Sequence, residues 1–286
     1  MRQDVISLYD QYVHGGISRR EFFDRLTQTV GGTAAAFALL PTLENDYGQA
    51  PLVTADDKSL EIGRASYDTA GTKMSGYLAR EKGGKKRPAV IVVHENRGLN
   101  PHIEDVVRRI AKEGFLAYAV DALSPLGGTP PNEEEAIKFI GTLKMAETVA
   151  HYAAAVKFLS AHAESTGKVG AVGFCWGGGI VNRLAAAGTT LAAGVAYYGM
   201  QLPAAEVPKV SCPLLLHYAG LDQRIDAGVP DFEAALKANK KTYELFMYEG
   251  ANHAFNNDTN AARYDKAAAT LAWGRTIGFL RRHLQG

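Results

Sequence analysis

Residues 169–179, VGAVGFCWGGG, decide the fold of this chain. The apolar run 169–174 suits a strand buried in a sheet, and the glycines after it open a helical stretch. Between them Cys175 stands in the pattern glycine–x–nucleophile–x–glycine, whose small residues let the strand and helix approach closely. The stretch therefore predicts a strand–turn–helix unit that lifts Cys175 out of the sheet, to the N-terminus of a helix.

The same alternation of strand and helix continues on both sides of this unit. The predicted strands lie at 59–67, 75–80, 88–94, 116–121, 169–174, 193–198, 213–219 and 242–248. One intervening helix begins at Asn100-Pro101, where an N-cap residue is followed by proline at the first helical position, and another covers 144–163. Such alternation predicts an α/β fold, with a doubly wound, mostly parallel sheet flanked by helices.

Residues 1–50 lie outside this alternation and predict an N-terminal helical extension, which leads into an α/β domain over residues 51–286. The segment SRREF at 18–22 resembles a twin-arginine export signal, which would make the protein periplasmic. Its Ser18 and Glu21 also fit a helix capping box, as expected for an extension that is retained in the cytoplasm. Both interpretations are open at this point.

Composition points to no nucleic-acid or membrane partner. The chain has 286 residues, 47% of them hydrophobic and 21% charged, with a formal net charge of +1. Such a balance gives no reason to expect nucleic acid or an anionic membrane as a partner. No apolar run approaches the roughly 18 residues of a membrane span. The two cysteines are too few for a disulfide framework.

A cysteine nucleophile needs a histidine to move protons and a carboxylate to orient that histidine. Asp222 and His253 each follow a predicted strand, and they come after Cys175 in the chain order that α/β-hydrolases use. Asp226 is a rival for the acid, but it lies further from the end of its strand. We therefore predict a triad of Cys175, Asp222 and His253. The alternative is that Cys175 is only a small buried residue.

The other histidines and the second cysteine have weaker claims. His217 lies inside a predicted strand and is interpreted as a core residue, and Cys212 begins an apolar strand and is interpreted as structural. The remaining histidines lie on or beside predicted helices, where a solvated or capping role is expected: His14, His102, His151, His162 and His283.

Metal catalysis finds little support in the sequence. His94-Glu95 begins like H-E-x-x-H, but Gly98 stands where the second histidine would be. No C-x-x-C pair, P-loop or dinucleotide-binding glycine pattern is present. We therefore expect neither a metal nor a cofactor.

With these residues identified, the chain over 59–286 resembles the dienelactone hydrolases (carboxymethylenebutenolidases). The likeness lies in GFCWGG at 173–178, in HENRGLN at 94–100, and around Asp222 and His253. It implies an α/β-hydrolase that cleaves a small ester or lactone through a thioester intermediate. A homodimer is left open.

The resemblance also implies further site residues. A glutamate after the third strand contacts the resting thiol in that family, and Glu95 matches its position. The alternative role of Glu95 is that of a solvated carboxylate that caps the following helix. Backbone N–H groups of Trp176 and Asn96 would form the oxyanion hole.

The chain departs from the family where arginines hold the substrate carboxylate. The corresponding stretches, 121–125 and 253–257, contain no arginine. Arg97 and Arg224 are substitutes for this role, or else solvated surface residues, and Tyr198 is a third candidate for substrate contact. Two alternatives follow: a broad-specificity carboxylesterase acting on short acyl esters, and a non-catalytic thiol redox sensor or binding protein on the same fold.

Overall fold

A single sheet of eight strands forms the centre of the protein. The computed structural model describes residues 1–285. Its strands are β1 (Leu60–Thr69), β2 (Thr72–Glu81), β3 (Arg87–Val93), β4 (Leu116–Val120), β5 (Ser165–Phe174), β6 (Ala193–Tyr197), β7 (Leu214–Ala219) and β8 (Tyr243–Tyr248). Their order is β1-β2-β4-β3-β5-β6-β7-β8. β2 pairs antiparallel with β1 and with β4, and all other pairs are parallel. The predicted mostly parallel sheet is confirmed.

Helices cover both faces of this sheet, as the doubly wound pattern predicts. They are α1 (Gln3–Val13), α2 (Arg19–Val30), α3 (Thr33–Leu43), α4 (Pro101–Lys112), α5 (Glu133–Thr142), α6 (Met145–Ser160), α7 (Trp176–Ala185), α8 (Gln223–Asp226), α9 (Val229–Ala238) and α10 (Lys266–Leu284). α4 and α10 pack on one face, while α5, α6, α7 and α9 pack on the other. The predicted helix start is confirmed, because the Asn100 side chain accepts a hydrogen bond from the Ile103 N–H.

The central strands are buried on both faces, which explains their continuous apolar sequence. Every residue of β3 is buried. Its side chains alternate between the two cores, with Ile91 and Val93 on the α6 and α7 side and Val90 and Val92 on the α4 side. Burial on both faces leaves no place for a polar face on these strands.

The strand order reverses beside β3, and this reversal positions the site. From β3 the chain moves to β4 on one side, then returns to β5 on the other. In open α/β sheets, ligands bind in the crevice that such a reversal opens at the carboxyl ends of the strands. The loop that begins at His94 and the turn at Cys175 both leave the sheet at this crevice.

The three N-terminal helices have a small apolar core of their own and lie against the loops of this crevice. The side chain of Asn96 donates a hydrogen bond to the Val13 carbonyl at 2.8 Å, and the side chain of Asn260 donates one to the Leu43 carbonyl at 2.6 Å. The Ser18 hydroxyl accepts a hydrogen bond from the Glu21 N–H, so the capping geometry is present. The export signal stays a prediction. No helix within residues 1–285 is both long and apolar enough to cross a membrane.

Candidate active site

Cys175 lies on a strained turn between β5 and α7. Its φ of 54° and ψ of −116° fall in a region that residues with side chains rarely adopt. A Cβ on Gly173 would lie 2.2 Å from the Gly177 carbonyl oxygen, and one on Gly177 would lie 2.3 Å from the Val93 carbonyl oxygen. The glycines of the motif therefore permit the close approach that holds the thiol at the N-terminus of α7.

His253 and Asp222 meet beside this thiol. The Nδ1 atom of His253 is hydrogen-bonded to Oδ2 of Asp222, and both side chains are buried. Its Nε2 atom has no hydrogen-bond partner within residues 1–285. Asp226, the rival acid, lies four positions after Asp222 in the chain and makes no hydrogen bond to His253 in the described residues. Burial and the Asp222 carboxylate raise the pKa of Asp226 to about 6.

A second histidine, His14, also reaches the thiol. It caps the C-terminus of α1, and its Nε2 atom lies 3.3 Å from Sγ of Cys175. Its Nδ1 atom lies 2.8 Å from the backbone carbonyl oxygen of Asp10 and 3.2 Å from Oδ1 of the same residue. The His14 ring meets that of His253 edge-on, with centroids 4.7 Å apart. His14 has the expected capping position, but its side chain is largely buried rather than solvated, because the extension folds back over the site.

The charges around the thiol favour its ionised form. Burial opposes ionisation of Cys175, but His253 and His14 lower the pKa of the thiol to about 5. Burial also opposes charge on His253, while Asp222 and the thiolate raise the pKa of its imidazole well above the usual range. Burial likewise opposes charge on His14, but the Cys175 thiolate and Asp10 raise the pKa of its imidazole. The resting site is therefore suited to a thiolate beside imidazolium.

A cavity of about 320 Å³ opens onto the thiol. Its wall includes Trp176, Tyr198, Met200 and Arg224 from the α/β domain, together with His14 from the extension. The hydroxyl of Tyr198 is buried and has no hydrogen-bond partner within residues 1–285. A substrate in the cavity can therefore meet apolar surface and one guanidinium.

Glu95 lies in the loop after β3, as predicted, but the resting thiol has a different hydrogen-bond partner. Glu95 accepts a hydrogen bond through Oε2 from the Asn257 side chain at 2.9 Å, and its Oε1 is buried without a partner in the described chain. Glu95 is also 2% exposed, so the interpretation as a solvated loop carboxylate is wrong. The thiol is hydrogen-bonded to His14 rather than to this carboxylate. A catalytic role for Glu95 stays a prediction.

The predicted oxyanion donors lie at the start of α7 and in the loop after β3. Trp176 is the first residue of α7, so its N–H has no acceptor inside the helix. Asn96 follows β3 in the loop that Gly177 contacts. The Trp176 indole stacks on His94, with centroids 5.4 Å apart.

The two arginines proposed for substrate contact have different surroundings. Arg97 is buried, and its guanidinium donates to Glu133 at 3.0 Å and to the Tyr9 hydroxyl at 3.2 Å. Arg97 is therefore not placed for substrate contact; it joins the extension to α5. Arg224 lines the cavity, and its Nε atom lies 3.7 Å from Oδ2 of Asp10.

Asp10 and Arg263 also border the site and were missed from sequence. Arg263 is buried, and its Nη1 atom lies 3.8 Å from Oδ1 of Asp10. The spacing of Asp10 and His14, one helical turn apart, was the available signal. The donor atoms of His14, Cys175 and His253 all lie within 4.8 Å of one another.

Comparison with known proteins identifies the family. The sequence profile of the Dienelactone hydrolase family matches residues 74–284, which contain Cys175, Asp222 and His253. The chain belongs to the dienelactone hydrolase family. It is therefore an α/β-hydrolase of the ester- or lactone-cleaving type, with a small-molecule substrate. A second profile, YqhI-like, matches residues 1–31.

Similar proteins support this placement of the hydrolase. A protein of Saccharolobus solfataricus assigned as a carboxymethylenebutenolidase is 33% identical, covering 76% of this chain and 96% of that protein. A Bradyrhizobium protein assigned as a 2-oxo-3-(5-oxofuran-2-ylidene)propanoate lactonase is also 33% identical, covering 76% of this chain and 93% of that one. The crystal structure of a Klebsiella pneumoniae protein assigned as a dienelactone hydrolase superposes with a TM-score of 0.71 at 28% identity, covering 79% of this chain and all of that one.

Proposed function

We propose that this hydrolase cleaves an ester or lactone through a triad of Cys175, His253 and Asp222 and a thioester intermediate. The observation that carries the proposal is the hydrogen bond between His253 Nδ1 and Asp222, with the opposite ring nitrogen unpaired beside the thiol. Asp222 holds the imidazole in the tautomer and orientation that proton transfer at Nε2 requires. The lowered pKa of the thiol supplies the nucleophile near neutral pH.

The proposed reaction uses the unpaired groups of the site in two steps. The thiolate of Cys175 attacks the carbonyl carbon, and the N–H groups of Trp176 and Asn96 bind the oxyanion. The C–O bond of the ester breaks, and the leaving alkoxide takes a proton from the His253 imidazolium. His253 then accepts a proton from water as the water attacks the thioester, and the acid leaves with Cys175 regenerated.

The substrate that fits this cavity is small. A volume of about 320 Å³ accommodates a lactone or a short acyl ester. The names of the two relatives at 33% identity suggest an anionic lactone, for which Arg224 is the cation on the wall. Tyr198 offers a hydroxyl that needs a partner, and we propose that the substrate supplies it.

A broad carboxylesterase is the second candidate function, and one contact favours it. Arg224 already faces the Asp10 carboxylate at 3.7 Å, so part of its charge is offset before a substrate enters. Because the guanidinium of Arg97 is also paired, with Glu133, the site suits a neutral ester better than an anionic lactone, which requires a cation.

The proposal is tested by comparing wild type, Cys175→Ala and Cys212→Ala on a short-chain aryl ester and on a dienelactone. Cys212 is the matched control, because it is the other free cysteine and lies in the core rather than in the cavity. We expect Cys175→Ala to lose turnover and Cys212→Ala to keep it. Mass spectrometry of wild type quenched during turnover should show an acyl group on Cys175.

Four outcomes separate the candidates. Undiminished turnover by Cys175→Ala refutes the triad. A preference for the dienelactone identifies a lactonase, whereas a preference for the neutral ester identifies a carboxylesterase. A Cys175 that oxidises readily while neither substrate turns over identifies the redox sensor.

A further inference from the structure

The N-terminal extension places a histidine–carboxylate pair on the thiol, opposite His253. His14 Nε2 is the nitrogen hydrogen-bonded to Sγ of Cys175, at 3.3 Å. The other ring nitrogen of His14 lies within 3.2 Å of two Asp10 oxygens, one from the backbone and one from the carboxylate. Asp10 thus fixes the His14 ring much as Asp222 fixes that of His253.

We propose that His14 is a further catalytic residue: it accepts the proton of the Cys175 thiol and holds the thiolate in the resting enzyme, with Asp10 orienting its ring. This rests on the proposed function in one respect, that Cys175 is the nucleophile. In the step itself the S–H bond of Cys175 breaks and an N–H bond forms at His14 Nε2. The Nδ1–H of the imidazolium then donates to Asp10.

The hydrogen bonds divide the work between the two histidines. The resting thiol is hydrogen-bonded to His14, and Nε2 of His253 has no hydrogen-bond partner within the described residues. His253 is then free to serve the leaving group and the attacking water. His14 takes the resting position at the thiol that the family resemblance implied for Glu95.

The extension is a wall of the site and does not block it. A cavity of about 320 Å³ remains beside Val13, His14 and Gly15 and still reaches Cys175. The hydrogen bonds from Asn96 to Val13 and from Arg97 to the Tyr9 hydroxyl fasten the end of α1 to the loop after β3. Substrate can therefore enter while His14 holds the thiolate.

The charges around this pair come from α1, the loop after β3, α8 and the loop between β8 and α10. They belong to Asp10, Glu95, Asp222, Arg224, His253 and Arg263. Arg224 and Arg263 lie 3.7 and 3.8 Å from the Asp10 carboxylate. Burial raises the pKa of the Asp10 carboxyl, but His253 and His14 outweigh it and hold that pKa well below the usual range. Asp10 therefore stays ionised as His14 takes up its proton.

The test measures the thiol directly, apart from ester turnover. In a Cys212→Ser background, the rate of alkylation by iodoacetamide is followed against pH for the unchanged site, His14→Gln, Asp10→Asn and, as control, His151→Gln. His151 lies on α6, does not line the cavity and makes no side-chain hydrogen bond in the described chain. We expect the unchanged site and His151→Gln to show an inflection near pH 5.

His14→Gln keeps a polar contact but cannot carry the proton. We expect it to raise the inflection by at least about one pH unit, which lowers alkylation about tenfold below the new inflection. Asp10→Asn should shift the inflection in the same direction by less. Far-UV circular dichroism checks that each variant is folded, and Asp10→Asn carries the test if His14→Gln is not.

Coincident pH profiles for the unchanged site and a folded His14→Gln overturn the proposal, as does an unshifted Asp10→Asn when His14→Gln is unfolded. Failure of the triad is a different result. In that case Cys175→Ala keeps its ester turnover, whatever the alkylation profiles show.

Discussion

Asp222 and Asp226 lie one helical turn apart in the chain, and of the two only Asp222 is hydrogen-bonded to the imidazole of His253 in the described chain. The backbone N–H of Asp226 donates to the backbone carbonyl of Asp222 at 2.8 Å, so both carboxylates leave the same short segment after β7. The Asp222 side chain is nearly fully buried, and Oδ1 also accepts a hydrogen bond from the Ile225 N–H at 3.3 Å. These contacts fix one carboxylate against the imidazole and leave the other beside it.

Exchanging each carboxylate for an amide therefore distinguishes the two acids. Asp222→Asn should lower kcat by about three to four orders of magnitude, since a triad that loses its carboxylate holds the wrong histidine tautomer. Asp226→Asn, the matched control, should change kcat less than about tenfold, because Asp226 acts on His253 only through charge. Steady-state kinetics on one aryl ester measures both. Similar losses in the two variants would mean that Asp226 shares the orienting role.

Two adjacent tyrosines allow a similar comparison at the cavity wall. Tyr198→Phe removes a buried hydroxyl with no partner in residues 1–285, so kcat/KM should fall about tenfold while stability is unchanged or rises. Tyr197→Phe removes a hydroxyl bonded to Thr276 at 2.7 Å, and it should lower the free energy of unfolding by about 1 kcal/mol without affecting kcat/KM. Kinetics and urea unfolding of both variants test this. Full activity in Tyr198→Phe would show that substrate leaves the hydroxyl unused.

Arg224 tests whether the cavity recognises an anion. If its guanidinium binds a substrate carboxylate, Arg224→Gln should lower kcat/KM about tenfold for a dienelactone and less than about twofold for a neutral aryl ester. Arg281→Gln is the control, because Arg281 pairs with Glu113 on the outer surface. Equal effects on the two substrates would contradict anion recognition and favour the carboxylesterase.

Stability should depend on pH through His217, which lies in the core as predicted. Burial and then the charge of Arg275 lower the pKa of its imidazole from 6.5 to about 3. Between pH 6.5 and about 3 the His217 imidazole is therefore protonated in the unfolded chain but neutral in the folded protein. The free energy of unfolding falls as the pH drops through that window. Each such proton contributes about 1.4 kcal/mol per pH unit. Urea unfolding at several pH values should show a shallower decline for His217→Gln than for wild type; equal slopes would contradict it.

Local patterns were sufficient to predict most of the fold and the proposed triad. Continuous apolar runs marked the central strands because these are buried on both faces, and the glycines around Cys175 marked a turn that only glycine permits. Asp222 and His253 were found because the fold brings the carboxyl ends of parallel strands to one edge. In each case the cause lies within a few residues of the pattern.

The residues that sequence reasoning missed depend on tertiary contacts. His14 reaches the thiol only because α1 docks on the loop after β3, and 161 positions separate it from Cys175. Arg97 was predicted to meet substrate, yet its guanidinium is engaged by Glu133 and Tyr9, two residues far from it in sequence. No pattern around either residue specifies a partner that only the folded chain supplies.

Gly177 and Gly274 test whether the turn at Cys175 requires the close approach of α7 to the backbone at the end of β3. A Cβ at position 177 would lie 2.3 Å from the Val93 carbonyl oxygen and 2.5 Å from that of His94, and backbone atoms cannot move aside as a side chain can. Gly177→Ala should therefore lower the free energy of unfolding by about 1–3 kcal/mol and reduce activity by pushing α7 from the loop that carries Asn96. Gly274, inside α10, has open space around its Cβ position, so Gly274→Ala should raise the free energy of unfolding by about 0.5–1 kcal/mol. Urea unfolding and ester hydrolysis measure both. Equal stability of the two variants would mean that the strand and helix can separate at this turn without cost, and the tight turn would then not explain the glycine.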